Sequence, residues 1–174
     1  MIPGIAGSGA EHWQTRWERR YPGHARVEQR DWDRPELDEW LRSLAKAIDA
    51  ADAPPVLAAH SLGCVLVAHA VRKAPALRVR AALLVAPADV DTLAATMPVI
   101  GSFVPIPLAP LPFPTTVVAG RDDPYVAFER ARRFAEAWGS AFVDAGEVGH
   151  INAASGLGDW DAGRGHLEAL LARA

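Results

Sequence analysis

The segment from Val56 to Ala74 constrains the fold more than any other. Val56-Leu57-Ala58-Ala59 is a short apolar run with no polar alternation, as a strand buried on both faces requires. Leu62–Ala74 then places Leu62, Val65, Leu66 and Ala70 on one side of a helix, with Pro75 beyond its end. Only His60 and Ser61 lie between, so the chain passes from buried strand to helix through one tight turn. Such a junction belongs to sheets whose parallel strands are joined by helices.

The rest of the chain repeats the alternation. Glu11–Tyr21 carries Trp13, Trp17 and Tyr21 at spacings of four, one apolar helical stripe. Glu36–Ala51 has Leu37, Trp40, Leu41, Leu44, Ala47 and Ile48 on one face and is a helix. Ala81–Ala86 and Thr115–Ala119 are apolar or β-branched runs and are expected as strands. Tyr125–Trp138 is expected as a helix capped by Gly139, Ala141–Asp144 as the last strand, and Arg164–Ala174 as the closing helix. Ala25–Gln29 is a weaker strand candidate, and Met1-Ile2-Pro3-Gly4 has the character of a strand end and its turn. The expected fold is a three-layer α/β sandwich, a mostly parallel twisted sheet of five to six strands with helices on both faces. It forms one domain over residues 1–174, with no separate cap domain and with the first strand cut short at the N-terminus. Asp89–Pro114 breaks the pattern. It is Pro-rich and too long for an ordinary connection, which suits either a lid over a site or an irregular strap over the core.

Composition removes several function classes. A net charge of -3 without a basic block leaves no electrostatic footprint for nucleic acid. Prolines interrupt the longest apolar stretch, Val99–Phe113, so it cannot be a spanning helix and no membrane association is expected. The start of the chain has no charged and apolar signal pattern. The single cysteine, Cys64, excludes an internal disulfide and suits a reducing compartment, so a cytoplasmic location is expected. Cys64 has no second cysteine or histidine pattern around it, and no metal or organic cofactor is expected.

The strand–turn–helix junction reads Ala59-His60-Ser61-Leu62-Gly63. This is the setting of the G-x-S-x-G nucleophile elbow, with Ala59 replacing the first glycine by another small residue. The turn would leave the Ser61 hydroxyl at the carboxyl end of the sheet. The backbone N–H of Leu62, at the helix N-terminus, could then face a developing oxyanion. Ser61 as a plain helix N-cap is the competing account.

The other members of a Ser–acid–His set follow in that order along the chain. Gly120-Arg121-Asp122-Asp123-Pro124 succeeds the Thr115–Ala119 strand, and Gly149-His150 succeeds the Ala141–Asp144 strand, both at the edge of the sheet where ligands bind. His150 would act as general base and acid, with an aspartate orienting it. Asp122 competes with Asp123 for that role, and spacing favours Asp123, three residues beyond Gly120. Three further residues are assigned to the border of the substrate. His12 precedes a helix near the start, His60 adjoins Ser61 as packing or pocket wall, and Met97 lies in the Pro-rich stretch. His69 falls on the buried side of the elbow helix and is expected as a core histidine.

These residues resemble a known family, the small serine hydrolases related to retinoblastoma-binding protein 9 and their bacterial members. The matching pieces are Pro3-Gly4, Ser8-Gly9, His12-Trp13-Gln14 with Trp17, Ala59 to Cys64, Asp122-Asp123-Pro124, Gly149-His150-Ile151-Asn152 and Ser155-Gly156. The resemblance implies an open α/β-hydrolase sheet, a Ser61–Asp123–His150 triad and cofactor-free hydrolysis. It also implies that the N–H of Ile5, after the Pro3-Gly4 turn, is the second oxyanion donor. The expected function is cleavage of a small-molecule carboxylic ester or related acyl substrate through an acyl-enzyme on Ser61. Acyl transfer on the same triad is a variant of it. The rival reading is a protein-interaction module on a hydrolase scaffold.

Overall fold

The computed structural model describes residues 1–174. Four strands, β1 (Val56–His60), β2 (Ala81–Val85), β3 (Thr115–Ala119) and β4 (Ala141–Asp144), form one sheet in the order β1-β2-β3-β4. Every pairing is parallel, with Ala59 opposite Leu84 and Val118 opposite Val143. The helices are α1 (Trp13–Arg20), α2 (Leu37–Asp49), α3 (Leu62–Lys73), α4 (Val90–Leu93), α5 (Phe128–Trp138) and α6 (Asp161–Leu171).

Strand order that follows the chain in one direction, with crossovers of one hand, puts α3 and α5 on the same face. Leu66 of α3, Phe134 of α5 and Leu44 of α2 pack there with Leu57, Ala59, Leu84 and Val117 of the sheet. The alternate strand residues Ala58, Leu83, Val85 and Val118 point the other way. Elements from the two ends of the chain cover them: Trp13 and Trp17 of α1, Leu167 and Leu170 of α6. Both faces are therefore dry, which is why β2 is wholly buried and its sequence is unalternating. Burial of each of Leu83, Leu84 and Val85 stabilises the fold by about 1.5–3 kcal/mol.

Four strands are fewer than the five to six expected. Ala25–Gln29 forms no strand, and the chain start contributes a single parallel bridge, Ile2 beside Ala59. The Ile2 N–H donates to the Ala58 carbonyl at 2.9 Å and the His60 N–H to the Ile2 carbonyl at 3.0 Å. Val27 reaches only Met1, its N–H donating to that carbonyl at 2.9 Å. The chain start lies along the edge of β1 and Ala25–Gln29 lies beside the chain start, each with too few ladder bonds to make a strand. Three helix boundaries also move. The chain turns through Asp123–Val126 before α5 begins at Phe128, α1 starts at Trp13 after a turn, and α6 starts at Asp161.

Asp89–Pro114 serves as strap and wall together. Ile100, Phe103, Ile106, Leu111 and Phe113 are buried in the core on the α3 face. The strap contains α4 and a short 3-10 helix, Pro98–Phe103. Polar contacts pin it: the Trp138 indole N–H donates to the Pro107 carbonyl at 2.8 Å, and the His69 ring to the Phe103 carbonyl at 2.8 Å. Arg130 of α5 holds Asp89 at 3.2 Å and Asp91 at 2.9 Å. No helix is long and apolar enough to cross a membrane.

Candidate active site

Ser61 sits between β1 and α3 with φ 56° and ψ -121°, a conformation that costs a residue bearing a side chain about 1–3 kcal/mol. The surroundings hold it there. Its N–H donates to the Val85 carbonyl of β2 at 3.0 Å, and its carbonyl accepts from the Cys64 N–H at 3.0 Å. Gly63 is required by close approach. A Cβ at this position would stand 2.4 Å from the Ile2 carbonyl oxygen and 2.8 Å from that of Pro3. Gly4 is constrained from the other side, its Cβ position being 2.8 Å from the Ser61 Cβ. The small residues around the elbow thus let the chain start lie against it.

Ser61, His150 and Asp123 come together from three separate sheet ends. His150 Nε2 is 2.9 Å from Ser61 Oγ, and His150 Nδ1 is 2.8 Å and 3.0 Å from the two Asp123 oxygens. A carboxylate can only accept, so the proton of the neutral ring belongs on Nδ1. Nε2 is then free to accept from the serine hydroxyl. Asp123 Oδ1 also accepts the Tyr125 N–H at 2.8 Å, and the Asp123 side chain is fully buried.

The His150 loop is fastened on every side. Asp122 accepts the Gly149 N–H at 2.8 Å, the His60 ring Nε2 donates to the His150 carbonyl at 2.9 Å, and the Trp13 indole N–H donates to the Ile151 carbonyl at 3.0 Å. Gly120 allows the loop to close down, since a Cβ there would be 2.3 Å from the Gly149 oxygen. Asn152 and Ser155 cap the turn that follows.

Two backbone N–H groups near the serine, those of Ile5 and Leu62, have no acceptor within the protein. Both residues border the same cavity as Ser61. Ile5 opens a turn in which Ala6 and Ser8 adopt positive φ, 64° and 53°. That turn is held by Ala6 N–H to the Trp32 carbonyl (3.0 Å), by the Ser8 hydroxyl to Gln14 (2.6 Å) and by Arg26 on the Gly7 and Ser8 carbonyls. Arg26 is itself paired with Glu18 at 2.9 Å.

The cavity holds about 430 Å³. His12, His60 and Met97 all border it, as do Leu93, Ile100, Tyr125 and Asn152. No Lys, Arg, Asp or Glu does. His12 is buried, and its Nδ1 accepts the Gln14 N–H at 3.2 Å. Burial, reinforced by nearby His150 and Arg26, lowers its pKa to about 4. Burial likewise pushes His60 well below the ordinary histidine value, with His150 and His12 adding to it. His60 is therefore a neutral donor that braces the loop. Cys64 is buried and its thiol is pushed up by burial, an inert packing group.

The structure brings Ser61, Asp123 and His150, which the sequence placed at one edge of the sheet, within hydrogen-bond distance, but sequence reasoning missed the braces. The roles of Asp122, His60, Trp13, Gln14 and Arg26 rest on partners that no local spacing marks. His60 and Trp13 meet the His150 loop 90 and 138 residues away.

The chain matches the model of the serine hydrolase family over residues 1–169. A comparison with the curated proteins gives no match. Among solved structures, a YdeN-like protein from Pectobacterium atrosepticum is 35% identical, with a TM-score of 0.86 over 98% of this chain and 88% of that one. The ydeN gene product of B. subtilis is 19% identical, with a TM-score of 0.75 over 98% and 96%. Mouse alpha/beta hydrolase domain-containing protein 10 is 18% identical, with a TM-score of 0.69 over 99% and 89%. The fold is that of the α/β hydrolases, and the chain belongs to the serine hydrolase family.

Proposed function

We propose that this protein is a carboxylic-ester hydrolase acting on small, uncharged acyl substrates, with Ser61 as nucleophile, His150 as base and acid, and Asp123 as its orienting carboxylate. The observation that carries the reading is the unbroken hydrogen-bonded series Asp123–His150–Ser61, ending at a strained serine on the wall of a cavity. His150 Nε2 takes the hydroxyl proton as Ser61 Oγ bonds to the ester carbonyl carbon. The Nδ1–H stays on Asp123, which stabilises the imidazolium. The carbonyl oxygen gains the negative charge, and the free N–H groups of Ile5 and Leu62 stand ready to donate to it. Collapse of this intermediate breaks the bond to the alcohol oxygen, which leaves with the proton from His150. Water then repeats the sequence on the acyl-enzyme, releasing the acid and the free serine.

The experiment is labelling with a fluorophosphonate, read by intact mass on the parent protein and on Ser61→Ala. One adduct on the parent and none on the variant is the expected result, together with loss of p-nitrophenyl butanoate turnover. A folded parent that takes no adduct would falsify the nucleophile and favour an interaction role for the scaffold.

A further inference from the structure

We propose that Leu93, Met97 and Ile100 form the acyl-chain subsite, and that it takes an uncharged aliphatic chain. The proposal rests on Ser61 being the nucleophile. His150 must hand its proton to the departing alcohol, so the alcohol lies on the His150 side of the cavity. That side is bordered by Asn152, Ala153 and Ala154, which continue the His150 loop. Ile151 anchors this loop in the core on the α1 and α6 face of the sheet. The strap lies across the sheet from it. Ile100 is buried with Leu62 in the core on the α3 face, and Leu93 and Met97 pack against that core. The acyl half, held at Ser61 Oγ and leading away from His150, meets this second wall.

The wall is apolar, and no Lys, Arg, Asp or Glu borders the cavity to pair with a charged chain end. Burying a carboxylate there without a partner is costly. The wall is also fixed in place. Arg130 clamps Asp89 and Asp91 on either side of the start of α4, Asp89 accepts the Thr92 hydroxyl at 2.8 Å, and Asp91 accepts the Ile106 N–H at 3.0 Å. A volume of about 430 Å³ for both halves of the ester sits near the lower end of the ~300–1,000 Å³ range of ligand sites, which bounds the chain length.

The test is the ratio of kcat/KM for p-nitrophenyl hexanoate to that for the acetate, with fluorophosphonate labelling read on the same samples. Each methylene that reaches the wall raises kcat/KM by up to about fourfold, so the parent favours hexanoate by about tenfold or more. The p-nitrophenyl monoester of glutaric acid, which ends in a carboxylate, runs at least about tenfold slower than the butanoate. Met97 is half-buried, and Met97→Trp fills the wall, lowering the hexanoate-to-acetate ratio by about tenfold. Leu93→Phe narrows the same wall from α4 and serves as the second variant. A labelled parent that prefers acetate, or a preference that neither labelled variant moves, overturns the subsite. A folded parent that takes no label removes the nucleophile instead, and the subsite falls with it.

Discussion

Asp122 and Asp123 are neighbours with the same side chain, yet their carboxylates reach different groups. Asp123 accepts from His150 Nδ1 and from the Tyr125 N–H, while Asp122 accepts only the Gly149 N–H at the base of the histidine loop. The consequences of removing each charge follow from that difference. An asparagine at 123 can present its NH₂ to the ring and favour the tautomer with its proton on Nε2, which cannot accept from Ser61. In the serine-protease triad the equivalent change costs about 10⁴-fold in kcat. We expect Asp123→Asn to lose about 10³–10⁴-fold with p-nitrophenyl butanoate. Asp122→Asn keeps an acceptor oxygen for Gly149 and should stay within about threefold of the parent. Equal losses in the two variants would reassign the acid. The spacing along the chain already favoured Asp123. The task of Asp122 was invisible, because its partner lies 27 residues away in a loop with no regular pattern.

At the scale of elements, the elbow depends on the chain start that leans on it. Gly63 belongs to the first turn of α3, where helix propensity alone would make Gly63→Ala stabilising by up to about 1 kcal/mol. The backbone oxygens of Ile2 and Pro3 oppose this, standing 2.4 Å and 2.8 Å from the new methyl. Overpacking of that kind costs about 1–3 kcal/mol, and the atoms that must yield are backbone. We expect a net loss of stability of about 1–2 kcal/mol by urea denaturation. A fall in kcat of about tenfold or more should accompany it, because Ile2–Pro3 leads directly into the Ile5 turn. A stabilised and fully active variant would separate that turn from catalysis. The elbow itself was legible because an unbroken apolar run and a helical stripe are local patterns. The edge beside it was not. Whether Met1–Gly4 or Ala25–Gln29 forms a strand is decided by pairing with β1 or with each other, 24 to 58 residues apart. The strap was legible as an interruption, but α4 and the Pro98–Phe103 turn are too short to leave a helical period.

At the scale of the molecule, the layered fold was readable from alternation alone, whereas the electrostatic cost of burying its histidines was not. His12, His24, His60, His69 and His166 all have pKa values lowered chiefly by burial, and none of the shifted histidines moves the other way. The sign of the pH dependence follows. Below pH 6.5 the unfolded chain takes up protons that the folded chain refuses, so stability falls as the medium becomes more acidic. For His12 the fall begins near its ordinary value and is complete below about pH 4, where the folded form is protonated too. Each unit in that window costs at most about 1.4 kcal/mol, so His12 alone contributes about 2 kcal/mol of loss between pH 7 and pH 5. The lowered carboxyls act elsewhere. Asp31 is held down by backbone N–H donors and Asp144 by Arg121, so their stabilising effect is lost only as the pH falls below the ordinary carboxylate value. His12 also caps α1 by accepting the Gln14 N–H, a bond that asparagine can make at the same position. His12→Asn therefore removes the titration and retains the cap. Urea midpoints followed by tryptophan fluorescence should drop less between pH 7 and pH 5 in this variant than in the parent, by the equivalent of about 2 kcal/mol. Comparing two pH values within each protein cancels the packing lost with the ring. If the two drops are equal, His12 takes its proton as readily in the fold as in the open chain, and the acid sensitivity belongs to His60 and the remaining histidines.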